Sequence, residues 1–192
     1  MPSIRIISGR FGGRKIEAPH ANNRRIHPMG ERIRNALFNS LGATIPGAHV
    51  LDAFAGTGAV GLEALSRGAS SATFIEKDRV AQSILQSNID TLGVNEAAKL
   101  IKTSVSKWNE TYDGGMFDIV FADPPYFDTQ GATVAKLAEH VRPGGQMIVS
   151  WPEKDPSPAI DSLVFVDERV YAGAKILFYE KEDLSTATKK DF

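Results

Sequence analysis

Along most of the chain, short runs of apolar residues alternate with stretches in which apolar positions recur every three or four residues. The runs are residues 49–54, 72–76, 99–102, 117–123 and 146–151. They are the length of buried strands, whereas the intervening periodic stretches at 60–67, 79–92 and 128–140 read as amphipathic helices. Gly68 and Gly93 stand just past two of those helices, where a left-handed residue ends a helix, and Pro143-Gly144-Gly145 follows the third. Strands alternating with helices predict a mostly parallel sheet covered on both faces. The pattern changes after residue 151. Residues 163–170 and 175–180 are β-rich with no helix between them, which predicts an antiparallel hairpin at the end of an α/β sheet.

Upstream of the alternation, residues 4–7 and 14–16 flank Gly9, Gly12 and Gly13 and read as a short hairpin. Residues 18–28 are polar, with proline near both ends, and read as a loop. Residues 31–43 carry Ile33, Ala36, Leu37, Ser40 and Leu41 on one helical face, with Glu31 at the positive end of the helix dipole. The division expected is therefore a basic N-terminal hairpin or arm at 1–28, a main domain at 29–184 and a flexible tail at 185–192.

Composition narrows the chemistry. The chain of 192 residues has no cysteine, which excludes disulfides and Cys-ligated metal sites. His20, His27, His49 and His140 lack metal-ligand spacing, so no metal is expected. No apolar run reaches the ~18 residues of a membrane span, and the opening MPSIRIISGR lacks the core of a signal peptide. A cytoplasmic protein with no membrane partner is the expectation. The net charge of −1 conceals a split: residues 1–34 sum to +6 and residues 35–192 to −7. A basic arm on an acidic body points to a polyanionic partner. Arg10, Arg14, Lys15, Arg24, Arg25 and Arg32 are the candidates to meet it.

Three segments at strand ends carry candidate chemistry. In Asp52-Ala53-Phe54-Ala55-Gly56-Thr57-Gly58, a strand runs through a glycine turn into a helix. Gly56 and Gly58 would let a ligand approach the backbone, and the helix N-terminus offers amide donors. Asp52, ending the strand four residues before Gly56, can accept hydrogen bonds from a cationic ligand. Glu76 follows Gly56 by 20 residues, the distance at which an acid meets ribose hydroxyls in a βαβ unit. Asp123-Pro124-Pro125-Tyr126 follows the fourth strand. Two prolines fix its backbone and remove two donors, so Asp123 and the Pro124 carbonyl can hold both hydrogens of an exocyclic amine. Tyr126 offers a face for stacking an extruded base.

Together these motifs resemble class I S-adenosylmethionine-dependent methyltransferases of the amino-methylating group. The likeness extends to Arg5-Ile6-Ile7-Ser8-Gly9, Gly13-Arg14-Lys15, Glu31-Arg32-Ile33-Arg34, Gly61-Leu62-Glu63-Ala64-Leu65, Phe117-Asp118-Ile119-Val120-Phe121 and Tyr171-Ala172-Gly173. The chain is thereby similar to the RsmD family of small-subunit rRNA guanine-N2 methyltransferases from about residue 4 to 181. The resemblance implies a Rossmann-like fold with a mostly parallel seven-stranded sheet, a C-terminal antiparallel hairpin and a small N-terminal extension. It implies S-adenosyl-L-methionine as cofactor, held by Asp52, Phe54, Gly56, Thr57, Gly58, Glu76 and Lys77, with Ser104 toward the adenine. Ser104 departs from the Asp or Asn common in methyltransferases at that position. Asp123, Pro124, Pro125 and Tyr126 become the catalytic group, and 16S rRNA or the assembling small subunit the partner of a monomeric enzyme. A second departure is His27-Pro28-Met29-Gly30-Glu31-Arg32, where the family commonly has Arg-Pro-Thr-Thr-Asp-Arg; the proline, the acid and Arg32 remain. The competing readings are an adenine-N6 methyltransferase, a nicotinamide-dependent oxidoreductase and a non-catalytic RNA-binding module.

Overall fold

The computed structural model describes residues 2–19, 29–171 and 173–183. Arg24 and Arg25, the departure at His27, and the tail expected at 185–192 lie outside them. The seven-stranded sheet has the order β5-β4-β3-β6-β7-β9-β8, built from β3 (His49–Asp52), β4 (Ser71–Ile75), β5 (Ala98–Ile101), β6 (Phe117–Ala122), β7 (Val141–Pro152), β8 (Val164–Tyr171) and β9 (Ala174–Glu180). β3 through β7 are parallel. β9 runs antiparallel between β7 and β8, the arrangement expected from two β-rich runs with no crossover between them.

Side chains alternate across the central strands with period two. Val50, Ile119, Phe121 and Ile148 enter the core on one face. Leu51, Val120, Ala122, Met147 and Val149 enter the core on the other. The first face is covered by α1 (Glu31–Leu41), α2 (Ala59–Ser66) and α3 (Arg79–Leu92), through Phe38, Leu62 and Leu85 among others. The second is covered by α4 (Val105–Thr111) and α5 (Gly131–Lys136), through Trp108 and Val134. This is why the central strands read as uninterrupted apolar runs.

Three elements differ from expectation. α4 is absent from the sequence reading because its seven residues make barely two turns, too few for a period to show. The helix expected over 128–140 is α5 followed by a 3-10 turn at Leu137–His140. Residues 125–130 instead form the turn after the Pro-Pro pair, with Gln130 at φ 50 before the helix starts. β7 begins earlier than 146 because Pro143-Gly144-Gly145 forms an irregularity inside the strand, between Val141 paired with Phe117 and Gln146 paired with Ile119.

β1 (Ser3–Arg5) and β2 (Lys15–Glu17) form the N-terminal hairpin, with Ile4 opposite Ile16. The hairpin is fastened to the body through buried groups. Ile6, Phe11 and Ile16 belong to the same core as Val50 and Phe74. Glu63 of α2, fully buried, accepts the amides of Ile7 and Ser8 at 2.7 and 3.1 Å. Arg67 and the buried Arg34 of α1 complete its ion pairs, and Arg34 also donates to the carbonyls of Met29 and Arg5.

Candidate active site

From β3 the chain moves outward to β4 and β5, then returns to place β6 on the opposite side of β3. Such a reversal opens a crevice beyond the carboxyl ends of the strands. A cavity of about 910 Å³ lies there. It is lined by every cofactor-binding or catalytic residue expected from the sequence except Gly58: Asp52, Phe54, Gly56, Thr57, Glu76, Lys77, Ser104, Asp123, Pro124, Pro125 and Tyr126.

The turn after β3 is closed from within. The Gly56 amide donates to Glu76 Oε2 at 2.7 Å, the Gly58 amide to the Ala55 carbonyl, and the Gly61 amide to Asp52 Oδ2 at 2.9 Å. Gly58 adopts φ 83, and a Cβ there would meet Leu85 Cδ1 at 2.3 Å. This glycine faces the α3 side chains, away from the ligand approach the sequence assigned to it. The donors expected at the start of α2 are likewise engaged in part by the protein's own carboxylates. A carboxyl oxygen of the protein already takes a donor at the positive end of that helix, which leaves fewer for a pyrophosphate there.

The acids of the cavity sit close enough to influence one another. Asp52 is 2% exposed. Burial pushes its carboxyl up to about 7, opposed by the Gly61 hydrogen bond and reinforced by the charges of Asp123 and Glu76. Burial likewise raises Glu76, against hydrogen bonds from the amides of Asp78, Gly56 and Lys77, and lifts Asp123 to about 6. Carboxylates crowded at a partly apolar wall suit a ligand bearing positive charge and hydroxyl donors. Thr57 Oγ1, at the same wall, is buried without a hydrogen-bond partner among the described residues. Ser104 Oγ caps α4, accepting the Lys107 amide at 3.3 Å.

In the Asp-Pro-Pro-Tyr turn the Pro125 carbonyl accepts the Asp128 amide at 2.8 Å. No described residue donates to the Pro124 carbonyl, so of the two proline carbonyls it is the one left for a ligand. Tyr126 is 41% exposed and Phe127 75% exposed at the cavity mouth. Several lining residues were not among the sequence candidates for the site: Met29 and Ile33 near the start of α1, Phe127 and Gln130 beyond the proline pair, and Ser150 in β7. Among the basic candidates, Arg10, Lys15 and Arg32 are exposed. Arg14, also exposed, donates to the Thr91 carbonyl at 2.7 Å, and Arg10 and Arg14 both lie over the Phe11 ring.

The parallel sheet with an antiparallel end, and acids at the carboxyl ends of the adjacent strands β4, β3 and β6, define a class I methyltransferase. Solved structures agree. An Escherichia coli protein named Putative methyltransferase yhhF superposes with a TM-score of 0.84 at 32% identity, covering 95% of this chain and 99% of that one. A family model described as Conserved hypothetical protein 95 matches residues 4–180. The chain belongs to that family, the RsmD family. Among its curated relatives, a Haemophilus influenzae protein named Ribosomal RNA small subunit methyltransferase D is 36% identical over 171 residues, 86% of this chain and 88% of that one. A Bacillus subtilis protein named Putative rRNA methyltransferase YlbH is 27% identical over 188 residues, 93% of this chain and 99% of that one. No described helix is long and apolar enough to cross a membrane, and no described group of three His, Asp or Glu side chains is placed to hold a metal ion.

Proposed function

We propose that this enzyme uses S-adenosyl-L-methionine to methylate the exocyclic N2 amine of a guanine in small-subunit (16S) rRNA. The observation that carries the reading is the meeting, in one cavity, of the Asp52–Glu76 wall with the Asp123-Pro124-Pro125-Tyr126 turn. The names of the relatives support rRNA as the substrate class.

The residues present fit the cofactor. Glu76 can accept from ribose hydroxyls, Asp52 can face positive charge, and the Thr57 hydroxyl, without a partner among the described residues, would supply a further polar contact. Lys77 and Ser104 would flank the adenine end. When bound, S-adenosylmethionine supplies a methyl group activated on a sulfonium centre.

The protein's own groups then govern the acceptor. Tyr126 presents a ring at the mouth for stacking the extruded base. Asp123 and the Pro124 carbonyl accept the two amine hydrogens, which draws the nitrogen lone pair out of conjugation and holds it in line for displacement. Positive charge develops on that nitrogen as it acquires the methyl group. The Asp123 carboxylate stabilises that charge and receives the proton released. A carboxyl lifted to about 6 is a better proton acceptor than an ordinary aspartate and is still largely ionised at neutral pH. The exposed Arg10, Lys15 and Arg32, with Arg14, would hold phosphates.

Incubation with labelled S-adenosylmethionine and unmodified 16S rRNA or 30S particles, followed by nucleoside analysis, tests the reading. N2-methylguanosine is the expected product. N6-methyladenosine would move the enzyme to the adenine class, and no transfer to either substrate would refute the proposal.

A further inference from the structure

Ser150 lies near the end of β7, opposite Ile176 of β9, and is 4% exposed. Its Oγ is 2.7 Å from the Tyr126 hydroxyl, and the residue lines the same cavity as Asp123, whose carboxyl it holds down against the upward push of burial. A serine hydroxyl has one proton to give and two lone pairs, whereas an ionised carboxylate only accepts. Either hydroxyl can donate within the Tyr126–Ser150 pair; when Ser150 gives its proton to an ionised Asp123, it is left to accept from Tyr126. One buried hydroxyl would then join the group that faces the amine to the ring that faces the base.

We propose that Ser150 is a positioning residue for methyl transfer, holding the Asp123 carboxylate and the Tyr126 ring as one hydrogen-bonded unit. The proposal rests on the reading of the site given above. The serine acts through its two partners. Donation to Asp123 fixes the rotation of the carboxyl group and favours its ionised form. Acceptance from Tyr126 restrains the ring, although 41% of that residue is open to solvent. The backbone rigidity of the two intervening prolines leaves side-chain rotation as the freedom still to be removed, and Ser150 removes it at both ends of the motif. The residue stands 24 positions after Tyr126, in a strand whose only sequence signal is its apolar run, so no local motif marks it.

The test is Ser150→Ala, which deletes one oxygen and leaves the strand intact, compared with the wild type and Tyr126→Phe. The Asp123 carboxyl is titrated by carbon-13 NMR in the free protein, where neither RNA nor cofactor is needed. Loss of the serine donor should raise its midpoint, and Tyr126→Phe should raise it less because Ser150 still donates. In methylation assays, Ser150→Ala should lower kcat by about tenfold at neutral pH, with the acid limb moved to higher pH and affinity for S-adenosylhomocysteine within twofold of wild type. An Asp123 midpoint that does not move, or a pH–rate profile that superimposes on the wild type, overturns the proposal. If the wild type methylates no RNA, the rRNA reading fails while the NMR titration still decides the link between Ser150 and Asp123.

Discussion

Glu76 Oε2 accepts the amide hydrogen of Gly56 at 2.7 Å, tying the end of β4 to the glycine turn after β3. The other oxygen accepts the Asp78 amide at 2.7 Å, so one carboxylate shapes both loops at the wall of the cavity. The spacing of 20 residues is therefore a structural clamp as well as a ligand position.

Replacing Glu76 with Ala should weaken binding of S-adenosylhomocysteine by at least about tenfold, since it removes a charged acceptor and loosens the turn. Glu76→Gln retains an acceptor for Gly56 and should lose less. Titration calorimetry of the two variants checks the order, and equal losses would separate the clamp from binding.

Asp52 should make the free protein pH-sensitive. Its carboxyl titrates near 7 in the fold but near 4 in the unfolded chain. The unfolded form ionises first, so stability is greatest below that lower value and falls as pH rises through the folded value. Asp52→Asn keeps an acceptor for the Gly61 amide and should remove this part of the fall, stabilising the free protein by ~2–4 kcal/mol at pH 8 and not at pH 4. Binding of S-adenosylmethionine should weaken in the same variant. Thermal melts across the pH range test the first half, and a variant parallel to wild type at every pH would contradict it.

Asp123→Ala should reduce turnover by at least about a hundredfold, while S-adenosylhomocysteine still binds. The activity of the wild type should fall as pH drops through about 6, where the Asp123 carboxyl becomes protonated. Methylation that persists in the alanine variant would remove Asp123 from its role.

Glu63 accepts two hairpin amides and pairs with the buried Arg34. Glu63→Ala leaves a buried guanidinium without its counter-charge, a change that costs about 3–5 kcal/mol. Hydrogen exchange at Ile7 and Ser8 should accelerate beyond the change in global stability. Amides that keep their relative protection would show that apolar packing alone holds the hairpin.

Arg14→Glu combined with Lys15→Glu should weaken RNA binding and make it less salt-dependent, with S-adenosylhomocysteine affinity unchanged. Arg14 also bonds the Thr91 carbonyl, so a small loss of stability, below about 1 kcal/mol, is expected as well. Filter binding at several salt concentrations separates the two effects. RNA affinity equal to wild type at low salt would make the hairpin a purely structural attachment.

Local pattern was sufficient for the parallel strands, for α3, and for the strand-end motifs, because each depends on neighbours along the chain. Apolar runs mark strands buried on both faces, and an acid at the end of such a run must lie at the carboxyl edge of the sheet. That reasoning placed Asp52, Glu76 and Asp123 around one cavity. It could not distinguish a glycine that admits a ligand from one that admits Leu85, which is the situation of Gly58. Nor could it count the hydrogen bonds already made within the turn. Ser150, Ile33 and Gln130 reach the cavity from separate elements, and Arg34 meets Glu63 across two helices. Such partners are set by how the layers pack, and their spacing carries no period. Sequence alone determined which residue types stand at the strand ends. Tertiary packing decided which are buried, which hydrogen bonds they have already made, and hence which remain available for chemistry.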